Sequence, residues 1–407
     1  MAASCRRVVG SGTMTGLTLH WFLPPFLDSR HVAGGGPGGL VTGPDAADGD
    51  RTVDLNYLRQ LALAAEHNGF ESVLVPVGLW CEDPWVVASA LVGVTEKLKF
   101  LVAVRPGVAS ALKEAQSAAT FQNLSGGRLA INLVTGGEPA ELAAYGDGLG
   151  KAQRYARTGE YVDLWKRLWN DAEPVSFDGE YVHADGALLP VRPEPDPPIY
   201  FAGTSPAAVA LSGRRAETYL TWGEPPAAVG EKLSAVRAEA ASHGRTVSGG
   251  LRVHVIARPT GEEAWRVAGE LLEKVSPEVV AAAQEKLAAS ESESQRRISE
   301  LHGRGAGYVQ GGDPHDLEVY PGLWTGVGLV RGGAGTALVG SYDEVAALIG
   351  EYVAQGVDEL VLSGYPHLEE TFHVGQGLVP ALRRRGFGVT NHGPAFAGAG
   401  VGAGVTA

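Results

Sequence analysis

Short apolar, β-branched runs alternate along this chain with longer amphipathic stretches. The runs fall at 18–23, 72–76, 98–104, 129–134, 199–202, 218–221, 251–257 and 359–362, each bounded by Gly, Pro or polar residues, which is the pattern of strands. Between them the periodicity predicts helices over 55–67, 85–94, 109–123, 155–169, 207–215, 228–243, 262–274 and 342–354. Asp54 and Ser341 stand at N-cap positions, and Glu344 completes a capping-box spacing after Ser341. Eight strands with intervening helices predict an α/β fold, a parallel sheet closed into a (β/α)₈ barrel. An open doubly wound sheet is the alternative, but no G-x-G-x-x-G follows the first strand.

Three stretches escape this alternation. Residues 31–50 are Gly-rich, and 275–339 interrupt the chain between the seventh strand's helix and the last helix–strand pair. The barrel is therefore expected over 17–388, with a lid insertion at 275–340 as its largest, between strands seven and eight. Residues 1–16 and the Ala/Gly-rich 389–407 read as unordered ends, with Met14 a second candidate start.

Composition narrows the function classes. Of 407 residues 44% are hydrophobic, enough for a sizeable core, and the formal net charge of −13 argues against nucleic acid or an anionic membrane as partner. A small anion bound in a local basic pocket is not excluded. The two cysteines, Cys5 and Cys81, are too far apart in sequence for a disulfide framework or a metal site. No apolar run is long enough to span a bilayer and no h-region follows the N-terminal arginines, so the cytoplasm is the default compartment.

In a barrel the chemistry sits where strands end. Arg252 and His254 interrupt an apolar strand at a spacing of two, so both point one way, into the mouth. Two readings are equal on residue types alone: an anion site, or a structural ion pair with Asp83 or Glu224. Tyr365 and His367 flank Pro366 after the eighth strand, next to the seventh, so four proton-handling side chains converge. The small-residue turn Ala202-Gly203-Thr204-Ser205 opens a helix and suits an anion such as phosphate, with Lys151, Arg154 and Tyr155 ahead of another helix as further donors. Glu82 and Asp83 read as caps of the helix at Pro84. Cys81 has no neighbouring His and reads as a core or hydrogen-bonding thiol rather than a nucleophile. Arg331, one cation in a glycine-rich loop, lies either on a passive linker or on a mobile arm.

The stretches WFLP, GLWCEDPW, LKFLVAVRP, NLVTG, YLTWGEPP, LRVHVIARPT, LWTGVGLVRGGAGTALVG and LSGYPHLEE carry a resemblance. From about Leu17 to Gly386 the chain resembles the bacterial luciferase-like flavin monooxygenases, and within them the alkanesulfonate monooxygenases. The resemblance implies a (β/α)₈ barrel and a two-component system, in which a separate NAD(P)H:FMN reductase supplies reduced FMN (FMNH2). It also implies that O₂ is captured as a flavin peroxide and that an organosulfonate is cleaved to sulfite and an aldehyde. Cys81 matches a cysteine beside the flavin, Arg252 and His254 an Arg-x-His pair, Arg331 the mobile-loop arginine, and Tyr365 and His367 a Tyr-Pro-His. Ala103, Asn132, Thr135, Lys151, Tyr155, Thr204 and Ser205 fall in flavin-holding segments, and relatives form homodimers or homotetramers. Three departures stand out: Phe26 and Lys151 replace histidines, and 303–317 is longer than in relatives. Phe26 leaves open a sulfone or natural-product substrate. A flavin-binding barrel without oxygenase activity and a deazaflavin-dependent dehydrogenase are the readings outside the class.

Overall fold

The computed structural model describes residues 15–32 and 51–389. The barrel strands are β1 (Thr15–Phe22), β2 (Ser72–Val75), β3 (Lys99–Val104), β4 (Leu129–Leu133), β5 (Ile199–Ala202), β6 (Thr218–Trp222), β7 (Ser248–Arg258) and β8 (Glu359–Ser363). All pair in parallel and in chain order, with β8 returning to pair with β1 and the pairing of Thr218–Trp222 with Ser248–Arg252 completing the closed ring. The open doubly wound alternative is thereby excluded. At its base, Thr15–Leu17 pairs with Phe387–Val389. β1 therefore starts two residues before the expected boundary at Leu17, and Val389 belongs to a strand.

Helix starts follow the side chains that cap them. Asp54 accepts the Tyr57 backbone N–H at 2.8 Å, and Ser341 and Glu344 complete their reciprocal box. One helix starts a turn earlier than its periodicity predicts, at Lys151, because the Gln153 side chain accepts the Gly150 N–H at 2.9 Å. Lys151 and Arg154 are therefore in its first turn rather than ahead of it.

The barrel interior is layered. Near the base, the Glu359 carboxylate accepts from His20 Nε2 (3.1 Å), Tyr200 Oη (2.9 Å) and Thr218 Oγ1 (3.1 Å), and His20 Nδ1 pairs with Ser72 Oγ at 2.7 Å. Above lies an apolar layer of Leu74, Leu101, Ala130, Leu220 and Val361 with the Tyr200 ring. The main core fills the space between strands and helices, with Trp21, Trp165 and Tyr219 fully buried.

The insertion is tied into the sheet. β7 outruns its barrel partners. Gly250–His254 pairs with β8, while His254–Arg258 pairs with Ala337–Ser341, the last strand of the insertion. Glu318–Tyr320 and Leu323–Trp324 extend that edge antiparallel. The insertion also carries the helices Pro277–Ala288 and Glu293–Leu301. Its longer stretch, 303–317, encloses a cavity of about 300 Å³ with Leu301, His302 and Thr325.

The Glu359 network predicts a pH-dependent contribution to stability. Burial alone would raise this carboxyl, but the bonds from His20, Tyr200 and Thr218 hold it below the usual range. A depressed carboxyl stabilises above its unfolded value of about 4.3, and that contribution fades as pH falls through the folded one. Glu359→Gln is expected to lose about 1–3 kcal/mol in urea unfolding at neutral pH. The gap to wild type should narrow near pH 3.5–4; a constant gap would contradict the assignment.

Candidate active site

β7 and β8 set the centre of the mouth. Their register places His254 opposite Ser363, which is fully buried. Arg252 Nη1 donates to Ser363 Oγ at 2.9 Å and to the Val253 carbonyl at 3.2 Å, and Ser363 Oγ lies 2.6 Å from His254 Nδ1. The Arg252 guanidinium sits 4.8 Å over the Phe22 ring. Burial pushes it down to about 10, which leaves only ~10⁻³ uncharged at neutral pH. The ion-pair reading of Arg252 is overturned. Asp83 caps its helix through the Val86 N–H at 2.9 Å, and Glu224 is held by Lys232 and by Arg297 Nε, 3.1 Å from both oxygens. Each carboxylate meets a nearer partner, and none is paired with Arg252 among the described residues. Glu82, the other expected cap, gives its backbone N–H to the Pro25 carbonyl.

His254 is 6% exposed. Burial first, then the nearby Arg252, push its ring well below the usual range. It is therefore neutral, and it stacks on Tyr365 with centroids 5.3 Å apart. Tyr365 is in turn edge-on to His367 at 5.0 Å, after which a short helix, His367–His373, begins. Asp28, fully buried, anchors His367: its Oδ1 meets His367 Nδ1 at 2.8 Å, and both oxygens accept the His367 backbone N–H at 3.0 Å. The Tyr57 hydroxyl also donates to Asp28. The same helix is pinned by Arg51 on Glu369 and by Arg258 on Glu370.

Arg331 joins this cluster from the insertion. Its guanidinium lies 4.8 Å over the Tyr365 ring, and its Nε donates to the Val32 carbonyl at 2.8 Å. Only 3% of the residue is exposed, yet Nη1 and Nη2 have no partner among the described residues. The glycine run beside it is packed rather than free, with Gly328 N–H on the Gly335 carbonyl and Gly333 N–H on Gln295. Arg252, His254, Arg331, Tyr365 and His367 thus come together. Phe26 forms an apolar wall beside them, 5.0 Å from Trp80 and 6.4 Å from Phe22.

The other expected residues are placed further round the mouth. Ser205 caps the helix Pro206–Arg215, Tyr155 packs edge-on against Phe201, and the Tyr155 hydroxyl is 3.4 Å from where a Cβ on Gly203 would sit. Thr204 pairs with Ser294 of the insertion at 3.3 Å. Lys151 and Arg154 are engaged by Glu291, through its carbonyl and carboxylate respectively, each at 2.6 Å. Ala103 and Asn132 are register partners on β3 and β4, and the buried Asn132 Oδ1 has no partner among the described residues. Thr135 follows two residues after β4. Cys81 points its thiol at the Gly78 carbonyl, 3.4 Å away. Asp28 and Ser363 were missed by sequence reasoning, although Ser363 is the polar residue facing His254 across paired strands.

A family model described as luciferase-like monooxygenase matches residues 17–359. The chain belongs to the luciferase-like monooxygenases. This monooxygenase is similar in fold to a riboflavin lyase solved with modified FMN and riboflavin, at TM-score 0.73 and 21% identity over 94% of each chain. It is similar also to the EDTA monooxygenase of Chelativorans sp. BNC1, at TM-score 0.71 and 19% identity over 93% of this chain and 95% of that one. A long-chain alkane monooxygenase matches at TM-score 0.69 and 20% identity, over 92% of each. None of the monooxygenase's helices among the described residues is long and apolar enough to cross a membrane.

Burial, then the nearby Glu141, push the Cys81 thiol up to about 12. Alkylation of Cys81 by iodoacetamide at about pH 8 is therefore expected to run at least ~10²-fold slower than that of free cysteine, measured by peptide mass spectrometry. A rate near that of free cysteine would make the thiol a reactive group.

Proposed function

We propose that this enzyme is an FMNH2-dependent, two-component monooxygenase that oxidises an organosulfonate to sulfite and an aldehyde. The observation that carries the reading is a pair of arginines at the mouth, Arg252 and Arg331, with no carboxylate partner among the described residues. Leaving a buried charge unpaired costs several kcal/mol; Arg331 is buried and Arg252 half-buried, so an exogenous anion is the natural partner for both. A sulfonate meets that need with three acceptor oxygens, and Phe22, Phe26 and Trp80 offer an apolar wall for its organic part. The apolar Phe26 keeps a sulfone or natural-product substrate as the rival, since a neutral substrate would leave the arginines unspent.

The residues around the mouth fit a flavin mononucleotide. Gly203, at φ +145°, with Thr204, Ser205 and the Tyr155 hydroxyl would hold the phosphate, with Lys151 near. The unpartnered Asn132 Oδ1 beside the small Ala103 would accept an N–H of the ring, with Thr135 and Cys81 further along the rim. When bound, reduced flavin supplies the electrons that activate O₂. The protein's part is to hold the anion between Arg252 and Arg331, to keep His254 neutral, and to exclude water. The insertion serves that last task. Glu291 reaches Arg154 and Arg297 reaches Glu224, so it is latched to the barrel by two ion pairs. A separate NAD(P)H:FMN reductase and a homodimer or homotetramer complete the reading.

A sulfite-release screen across sulfonates, with FMN and a generic reductase, tests this. Activity should require the reductase, and the enzyme with NADPH and oxidised FMN alone should be inactive. Robust NADPH oxidation by the enzyme alone, or no sulfite from any sulfonate, would refute it. Arg252→Ala should lower kcat/KM by roughly 10²–10³, with flavin binding retained. Arg331→Ala should release more hydrogen peroxide per turnover; unchanged coupling would make the insertion a passive linker.

A further inference from the structure

We propose that Asp28 is a positioning residue that holds His367 in the Nδ1–H tautomer, opposite to that of His254 across the same pocket. The chemistry of the two partners requires it. An ionised carboxylate only accepts, so at 2.8 Å from Asp28 Oδ1 the Nδ1 of His367 must carry the proton. Asp28 is ionised: burial alone would raise it, but His367 and the Tyr57 hydroxyl hold it below the usual carboxylate range. It is also immobile, with both oxygens taken by the His367 backbone N–H and one also by Tyr57. The neutral form of His367 therefore presents a bare Nε2, an acceptor.

On His254 the arrangement is reversed. Arginine only donates, so Ser363 Oγ accepts from Arg252, and its one proton is left for His254 Nδ1 at 2.6 Å. With Nδ1 accepting from Ser363, the neutral ring carries its proton on Nε2. One ring is an acceptor and the other a donor, beside two guanidiniums. This gives His367 the task of taking a proton, and makes His254 a fixed dipole that cannot.

The inference rests on the proposed active site for its consequence, but its test does not. Histidine-¹⁵N-labelled, flavin-free enzyme is recorded by long-range ¹H–¹⁵N correlation at about pH 8, where histidine is neutral at its ordinary value. His367→Gln and His254→Gln assign the two rings. Wild type should show Nδ1–H for His367 and Nε2–H for His254. Asp28→Asn should move His367 toward Nε2–H and lower kcat by roughly 10²-fold or more, with KM within about threefold. Tyr57→Phe, which leaves the Asp28 charge in place, should keep the tautomer. Nε2–H on His367 in wild type, or an unchanged tautomer in Asp28→Asn, would overturn the inference. Failure to release sulfite would sink the proposed function and leave the tautomer assignment standing.

Discussion

β7 runs for eleven residues, longer than any other barrel strand, and the remainder of the site is built on that length. Its first part closes the barrel against β6 and pairs with β8. Its last part leaves the ring and accepts the strand Ala337–Ser341, so the insertion hangs on the same backbone that carries Arg252 and His254. A displaced insertion would therefore expose unpaired peptide groups along 254–258, which costs about 1–3 kcal/mol for each buried group left bare. This fixes Arg331, six residues before that strand, relative to the barrel residues it must meet.

The electrostatics follow a simple division. Arg105 meets Glu141 at 2.8 Å, Arg157 meets Asp147, and Arg258 meets Glu370; each is a buried cation whose carboxylate is supplied by the chain. In a chain of net charge −13, carboxylates are plentiful. That Arg252 and Arg331 lack one among the described residues is consequently informative, since several kcal/mol would reward any nearby Asp or Glu. Both rest on aromatic faces, Phe22 and Tyr365, which soften the charge without neutralising it.

The barrel was legible because its strands are short apolar runs cut by Gly and Pro, and β5 matches its apolar run residue for residue. The pairing of Arg252 with His254 followed from strand alternation, which is local. Asp28 was not legible, because its partner His367 is 339 positions away and nothing in the first loop's sequence announces that contact. The glycine-rich loop around Arg331 read as either a passive linker or a mobile arm, yet its Leu329 and Leu338 are fully buried, as are Leu323 and Trp324 before it. Glycine there serves close approach, Gly328 against Gly335, rather than freedom. The hairpin of Val175–Asp178 with His183–Ala187 was hidden for a related reason, its faces being mostly exposed and polar.

The central claim is that the two arginines await an anion. Calorimetric titration of the reduced-FMN enzyme, under anaerobic conditions, with an alkanesulfonate and with the methyl sulfone of the same chain length addresses it directly. The sulfone keeps the shape and two oxygens but loses the charge. At about 1.5–3 kcal/mol for each hydrogen bond to a charged group, two arginines predict that the sulfonate binds ~10²–10⁴-fold tighter. Equal affinities, or a preference for the sulfone, would contradict an anion site at Arg252 and Arg331.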